Sequence, residues 1–441
     1  MSRKIFLPIL HCFHEDRHGN ESLVMKKRVM EVQVKYMKKR AAVRPIEGRF
    51  DRNRIYRRAV VIPALAERVH LPLTIESLSN NMPTDILDDT LVLVVVNNRP
   101  PEAAAAAKQI ELKEQIDDNA RTLRWLKDMS AKGTLPLAWI DASSPGRELP
   151  PWGGVGLARK IGCDSVLAFL LELKKPSALD DFIFFSLDAD TTVSPDYLEI
   201  AGHELRKSGC TGGVISFKHQ KADSPESQAA IDEYEAFLNY YVKGLRWAGS
   251  PYAFHTIGSC LCFTASGYVR ANGFAARRQA GEDFYFCMEL AKTGAICEIQ
   301  KTMVFPSARI SPRVPFGTGK RMAEAALNGR EPLLVYDFRV FVCLREILTA
   351  ISTYTGAGAD RICAELTNHS TREFLESRGF SGIWGRFQRQ YKTRDAILAA
   401  FHRWFDGFVT LKYIHWLTEK EWPRRPLDET YLNDSYRSHI A

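Results

Sequence analysis

The stretch TLVLVVVNN at positions 90–98 constrains the chain most. A strand with one wet face alternates apolar and polar residues. This one does not alternate, so both of its faces must be covered, as in the central strand of a layered α/β sheet. It stops at Asn97 and Asn98, a polar turn at the strand's carboxyl end. The neighbouring sequence repeats the pattern. Ala59–Ile62 reads as a short strand, and Leu71, Ile75 and Leu78 then mark one helix face. Glu102 to Lys132 has the composition of a long helix, TLPLAWIDASS reads as a further strand, and a glycine-rich turn at 153–156 opens a helix with Ala158, Ile161, Val166 and Leu170 on one side. Phe182–Leu187 is a strand, and Ser194-Pro195-Asp196 starts a helix after it. Such alternation implies a mostly parallel sheet with right-handed crossovers over roughly residues 55–320.

Further on, CTGGVISFK reads as a strand, and Ser224-Pro225 opens a helix with Ile231, Tyr234, Leu238, Tyr241 and Leu245 on one face. GEDFYFCMELAKTG reads as a helix closed by Gly294. From about Val335 the pattern is mainly helical: Leu344, Ile347, Leu348 and Ile351 mark one helix, and Ile397, Phe401, Trp404, Phe405, Phe408 and Leu411 mark another with a weak point at Gly407. The expected division is a basic extension over 1–58, an α/β domain over 59–320 and a helical subdomain over 321–441.

Composition bounds the function. With 441 residues, 45% of them hydrophobic, the chain can bury a large core. No apolar run approaches the roughly 18 residues needed to span a bilayer, and the short run Ile5–Leu10 does not make a signal-peptide core, so a cytoplasmic protein is expected. The nine cysteines form no CxxC pair and read as reduced, mostly buried thiols. The formal charge of +8 is uneven: Lys26–Arg58 carries +10, leaving −2 for the remaining residues. That arm is either a solvated helix face or a contact for anionic lipid, nucleic acid or protein. His11, Cys12 and His14 have metal-binding side chains, but near the chain's start the reading favours a frayed segment.

Asp188 and Asp190 sit where the apolar strand stops. In an open α/β sheet, ligands bind outside the carboxyl ends of the strands. Two carboxylates so close repel unless a cation or a proton relieves them, which suggests a divalent metal site; the alternative is an Asx turn with a helix cap.

The ordered series VVIPALAE, VVVNN, GGVGLARKIGCD, FFSLDAD, TIGSCLCFTASGYVRANGF and GEDFYF resembles the family-2 glycosyltransferases of GT-A fold, over about residues 59–310. The resemblance implies a nucleotide-diphospho-sugar transferase fold: a mostly parallel, Rossmann-like sheet flanked by helices, followed here by a C-terminal helical subdomain. It also implies transfer of one sugar, with inversion, from a nucleoside-diphosphate sugar donor to an acceptor hydroxyl on a saccharide or lipid-linked molecule. Asp190 would ligate Mn²⁺ or Mg²⁺, and Asp188 would share the ion or lie nearer the ribose. Asp283 matches the family's base, with Glu282 beside it; such a base contributes about 10² to 10⁴-fold. Pro63, Glu67 and Asn97 would border the nucleoside. The family often has Asn where Ala66 stands and Asp where Asn97 stands, which leaves the nucleobase open.

Gly154, Gly156, Arg159 and Lys160 form a turn and first helical turn suited to a diphosphate, with a solvated charge as the alternative for Lys160. Gly258 and Ser259 match the acceptor side, the alternative being a strand bulge. Arg313, Lys320 and Arg321 lie in a glycine-containing loop that could close on the diphosphate or be an ordinary basic loop. The chain lacks the QxxRW signature and membrane spans of processive synthases. For the basic arm, the reading implies at most peripheral contact at the inner face of a membrane and disfavours nucleic acid. Two rivals remain at this stage. A haloacid-dehalogenase-type phosphatase would use Asp188 as nucleophile and Asp190 as acid/base, and a catalytically silent protein of the same fold would only bind.

Overall fold

The computed structural model describes residues 4–5, 32–103, 109–133, 135–173, 181–276, 281–309 and 333–426. His11, Cys12, His14, Arg313, Lys320 and Arg321 lie outside the described residues. Among the described residues the chain forms two compact units, one within 32–221 and 256–307 and the other within 222–255 and 333–426.

The first unit is the α/β layer structure expected from the alternating pattern. Its principal elements are α1 (32–40), β1 (Glu47–Arg49), β2 (Arg58–Ala64), α2 (Leu71–Ser79), β3 (Thr90–Asn97), α3 (Gln109–Lys132), β4 (Leu137–Ala142), α4 (Val155–Glu172) and β5 (Ile183–Ser186). These are followed by β6 (Thr192–Val193), α5 (Tyr197–Ser208), β7 (Gly212–Phe217), β8 (Leu261–Thr264), α6 (Ala265–Arg270), α7 (Glu282–Ala291) and β9 (Ile296–Phe305). The sheet runs β9-β7-β8-β5-β2-β3-β4-β1, with β6 pairing antiparallel to the end of β9. β2 is parallel to β3 and to β5, and β3 is parallel to β4, while β8 runs antiparallel between β5 and β7.

Every residue of β3 is buried, as its unbroken aliphatic run requires. On one face Val92, Val94 and Val96 join Val60, Ile62 and the Leu71, Ile75 and Leu78 stripe of α2. On the other, α4 lies so close that a Cβ at Gly162 would come within 2.4 Å of Val61 Cγ1. Glycine at 162 is therefore what lets this helix settle onto the sheet.

The order of strands fixes where a ligand would go. From β2 the chain steps outward to β3 and β4, then returns to place β5 on the opposite flank of β2. The order reverses between β2 and β5, and the carboxyl ends there are residues 65–67 and 187–190. In open α/β sheets ligands bind in the crevice outside the carboxyl ends of the strands at such a reversal.

The second unit is built of helices. Pro225–Trp247, capped by Ser224 Oγ accepting from the Ser227 N–H at 3.1 Å, belongs to it together with Arg339–Thr353, Ala359–Ala364, His369–Ser377, Phe380–Gln390, Arg394–Trp404 and Gly407–Lys420. Its core includes Tyr240, Phe341, Trp384, Phe401 and Tyr413. A Cβ at Gly244 would sit 2.6 Å from the Phe341 ring, so that glycine seats the aromatic. The apolar stripe from Ile397 to Leu411 is two helices rather than one with a weak point. Asp406 accepts from the Phe408 and Val409 N–H groups and caps the second, which makes Gly407 its first residue.

Candidate active site

The turn Asp188-Ala189-Asp190 leaves the end of β5, and each of its three residues is held by a different side chain. Arg159 Nη2 donates to Asp188 Oδ1. Thr74 Oγ1, buried in α2, donates to the Ala189 carbonyl at 2.9 Å. Gln220 Nε2 donates to the Asp190 carbonyl at 2.9 Å and to the Phe305 carbonyl at 2.7 Å, tying the turn to the end of β9. Asp188 is 37% exposed and Asp190 half-buried, so the backbone is fixed while both carboxylates lie at the rim.

Arg159 organises the rest. It lies in the first turns of α4, is itself buried, and uses all three guanidinium nitrogens: Nε donates to Ser186 Oγ at 3.1 Å, Nη1 to Glu282 Oε1 and Nη2 to Asp188. Such a planar fork can serve several acceptors where a lysine could not. Two of the glycines singled out in the sequence provide clearance for it and for its partner Glu282. A Cβ at Gly258 would lie 2.5 Å from Arg159 Nη2, and one at Gly156 would lie 2.8 Å from Glu282 Cβ. α7 begins at Glu282 after Gly281, whose φ of 98° is a left-handed conformation suited to glycine. Glu282 and Asp283 therefore occupy the first turn of that helix, where the dipole favours anions.

The electrostatics follow from this packing. Burial works against the Arg159 charge, but Asp188, Glu282 and Asp283 outweigh it and hold the guanidinium above its ordinary pKa. Asp283 is raised to about 7, chiefly by burial and then by Glu282, with Arg159 pulling the other way. Its Oδ1 accepts the Phe284 N–H at 2.7 Å. A carboxyl titrating near neutrality is suited to take a proton.

Three acids, Asp188, Glu282 and Asp283, act on one guanidinium, so the cation that the paired aspartates call for is partly supplied by the protein. The donor set still fits a hard divalent ion: Asp190 with Asp188 offers oxygen ligands at the rim. Among the described residues no group of three or more His, Cys, Asp or Glu forms a metal cage. An ion here would draw its other ligands from substrate oxygens and water.

The remaining candidates divide. Pro63 pairs with Val95 inside the sheet, and Glu67 lies buried in the turn after β2. Asn97 Nδ2 donates to the carbonyls of Ala64 at 3.2 Å and Val95 at 3.1 Å, which commits its amide donors to the strand ends. Gly154 is the extended N-cap residue of α4. Ser259 is buried in the short turn Gly258–Cys260. Lys160 points away from the acids: its Nζ donates to Tyr36 OH at 2.6 Å and pairs with Asp164 at 3.1 Å. Tyr36 OH donates to Asp164 Oδ1 at 2.7 Å, Tyr268 OH donates to the same oxygen at 2.9 Å, and the Ala42 N–H donates to Oδ2 at 2.7 Å.

The N-terminal segment is therefore fastened to α4 by a sealed polar cluster. Part of its basicity is engaged locally: Arg44 donates to the carbonyls of Arg147 and Glu148, and Arg54 and Arg57 meet Asp89. Thr74 and Gln220 were not visible as site residues in the sequence. Thr74 had a weak signal, a hydroxyl on the apolar face of α2; Gln220 had none.

No protein-family model matches the sequence, and no curated protein matches it. Solved structures that align with this chain include S. aureus TarS residues 1–349, at 11% identity and TM-score 0.35 over 79% of this chain and 90% of that one. The same protein in complex with UDP-GlcNAc aligns at 13% identity and TM-score 0.34 over 87% and 92%. The mannosyltransferase PcManGT from Pyrobaculum calidifontis, in complex with GDP-Man and Mn²⁺, aligns at 14% identity and TM-score 0.35 over 95% and 97%. Superpositions this loose carry no residue-by-residue correspondence. No described helix is long and apolar enough to cross a membrane.

Proposed function

We propose that the chain transfers a single sugar from a nucleoside-diphosphate sugar to an acceptor hydroxyl with inversion at the anomeric carbon. One observation carries this reading: Arg159 draws the strand-end Asp188 and the helix-start Glu282 onto a single guanidinium, at the point where the strand order reverses. A donor in that crevice would place its diphosphate by Asp188 and Asp190. A divalent ion bound there would neutralise the departing nucleoside diphosphate. The protein's own work is positional and proton-handling. Thr74, Gln220 and Arg159 keep the acidic turn rigid, and Asp283, raised to about 7, accepts the proton of the attacking hydroxyl. Attack from the face opposite the leaving group inverts the centre in one step. Glu282 pairs with Arg159 and holds α7 in place.

A phosphatase using Asp188 as nucleophile is the rival reading, with Arg159 engaging Oδ1 of that carboxylate. The test is release of free nucleotide from a panel of UDP- and GDP-sugars with Mn²⁺, run beside hydrolysis of para-nitrophenyl phosphate. Nucleotide release from at least one donor, lost in Asp190→Ala, supports the reading. Phosphate-ester hydrolysis with no nucleotide release overturns it.

A further inference from the structure

Asn119 of α3 is only 1% exposed, and its side-chain amide joins two strand ends. Oδ1 accepts the Ala66 N–H at 2.9 Å, and Nδ2 donates to the Asn97 carbonyl at 3.1 Å and to Asn98 Oδ1 at 2.8 Å. One buried side chain thus fastens the carboxyl end of β2 to that of β3. The residue it holds is strained: Ala66 has φ 54°, a left-handed conformation that residues with a Cβ rarely adopt. The next residue of the turn but one is held from the same helix, the Arg68 N–H donating to Asp118 Oδ1 at 3.1 Å. Asn97 completes the tie by donating back to the Ala64 carbonyl. Strain kept in place by several hydrogen bonds at the crevice of an open sheet is the mark of a surface shaped for a ligand rather than for stability.

We infer that Asn119 is a positioning residue for the nucleoside of the donor, an inference that rests on the sugar-transfer reading. It does not touch the nucleotide. It fixes residues 65–67 and 97–98 as a rigid floor, so that their backbone groups meet the nucleoside already in place and little ordering remains to be done on binding.

The test uses the full chain, with UDP and GDP titrated in the presence of Mn²⁺, donor KM and kcat measured, and hydrogen exchange followed over residues 60–72. Asn119→Ala is expected to weaken binding of the preferred nucleotide and raise donor KM about tenfold, to leave kcat within about threefold, and to speed exchange at 65–68. Asn119→Asp keeps the acceptor for the Ala66 N–H but sets a carboxylate against the Asn97 carbonyl and Asn98 Oδ1. It should fold, and should weaken the nucleotide by about threefold or more even if the alanine variant does not fold. Faster exchange with unchanged nucleotide affinity would make Asn119 merely structural and overturn the inference, as would no change in either. A wild type that binds neither nucleotide would instead remove the sugar-transfer reading, and this inference with it.

Discussion

Arg159 and Lys160 are consecutive, both basic and both buried in the same helix, yet they serve different regions of the unit. Arg159 faces the strand ends and binds the buried Glu282 and, at the rim, Asp188, which is 37% exposed. Lys160 faces the N-terminal segment and binds Asp164, which is 0% exposed and shares its oxygens with Tyr36, Tyr268 and the Ala42 N–H. A step of one residue turns a helix by about 100 degrees, enough to send neighbouring side chains to different partners. A buried charge alone does not mark a functional site. What separates the two clusters is whether the acids can meet a ligand: one cluster is open at its edge, the other is a latch.

The contrast can be broken from either side. Arg159→Leu leaves buried acids without their cation and should cost about 3–5 kcal/mol of stability, read by denaturant melts, along with activity. An unchanged melt would mean that the guanidinium is not organising the site. Asp283→Asn should bind donor normally and lose at least about 10²-fold in kcat, near 2.7 kcal/mol of transition-state stabilisation; wild-type turnover would remove the base assignment. On the latch side, Lys160→Met should destabilise by about 1–3 kcal/mol while kcat/KM per folded molecule stays within about threefold. A selective loss of kcat there would erase the distinction between the clusters.

Acidity sharpens the same comparison. With Asp283 raised to about 7, kcat/KM should climb about tenfold per pH unit below that value and level off above it. A carboxyl whose folded pKa lies above its unfolded one favours the fold when protonated, and that contribution is lost as pH rises through about 7. Asp283→Asn should therefore raise the melting temperature at pH 8 more than at pH 5, by about 2–4 °C, seen by calorimetry at the two values. A larger gain at pH 5 would mean that the site does not raise this carboxyl. The smallest effect should be that of Tyr36→Phe, which removes one hydroxyl from the latch: about 1 kcal/mol of stability and no change in rate.

The framework of the first unit was legible because it rests on patterns with a period. The aliphatic run of β3 and the Leu71, Ile75 and Leu78 stripe each state which faces are covered, and the structure covers them. The acids were legible too, as Asp188 and Asp190 end a strand and Glu282 and Asp283 open a helix. What joins them was not. Arg159 and Lys160 look alike in the chain, and only the helix phase, set by Gly156 and Gly162 packing on Glu282 and Val61, decides which one meets Asp188. The cap at Asp406 was hidden by aromatics continuing on both sides of it. The assignment of Pro225–Trp247 to the helical unit depends on partners about a hundred residues away, such as the Tyr336 carbonyl accepting from Tyr240 OH at 2.7 Å. No local pattern carries that.

The central claim is that the acids gathered by Arg159 form a nucleotide-sugar site, and calorimetric titration of UDP- and GDP-sugars into the wild type and Asp190→Ala, with and without Mn²⁺, tests it most directly. Saturable binding of at least one donor to the wild type in Mn²⁺, weakened about tenfold or more in Asp190→Ala, is expected. Equal binding by the two proteins, or no heat from any donor, would contradict it.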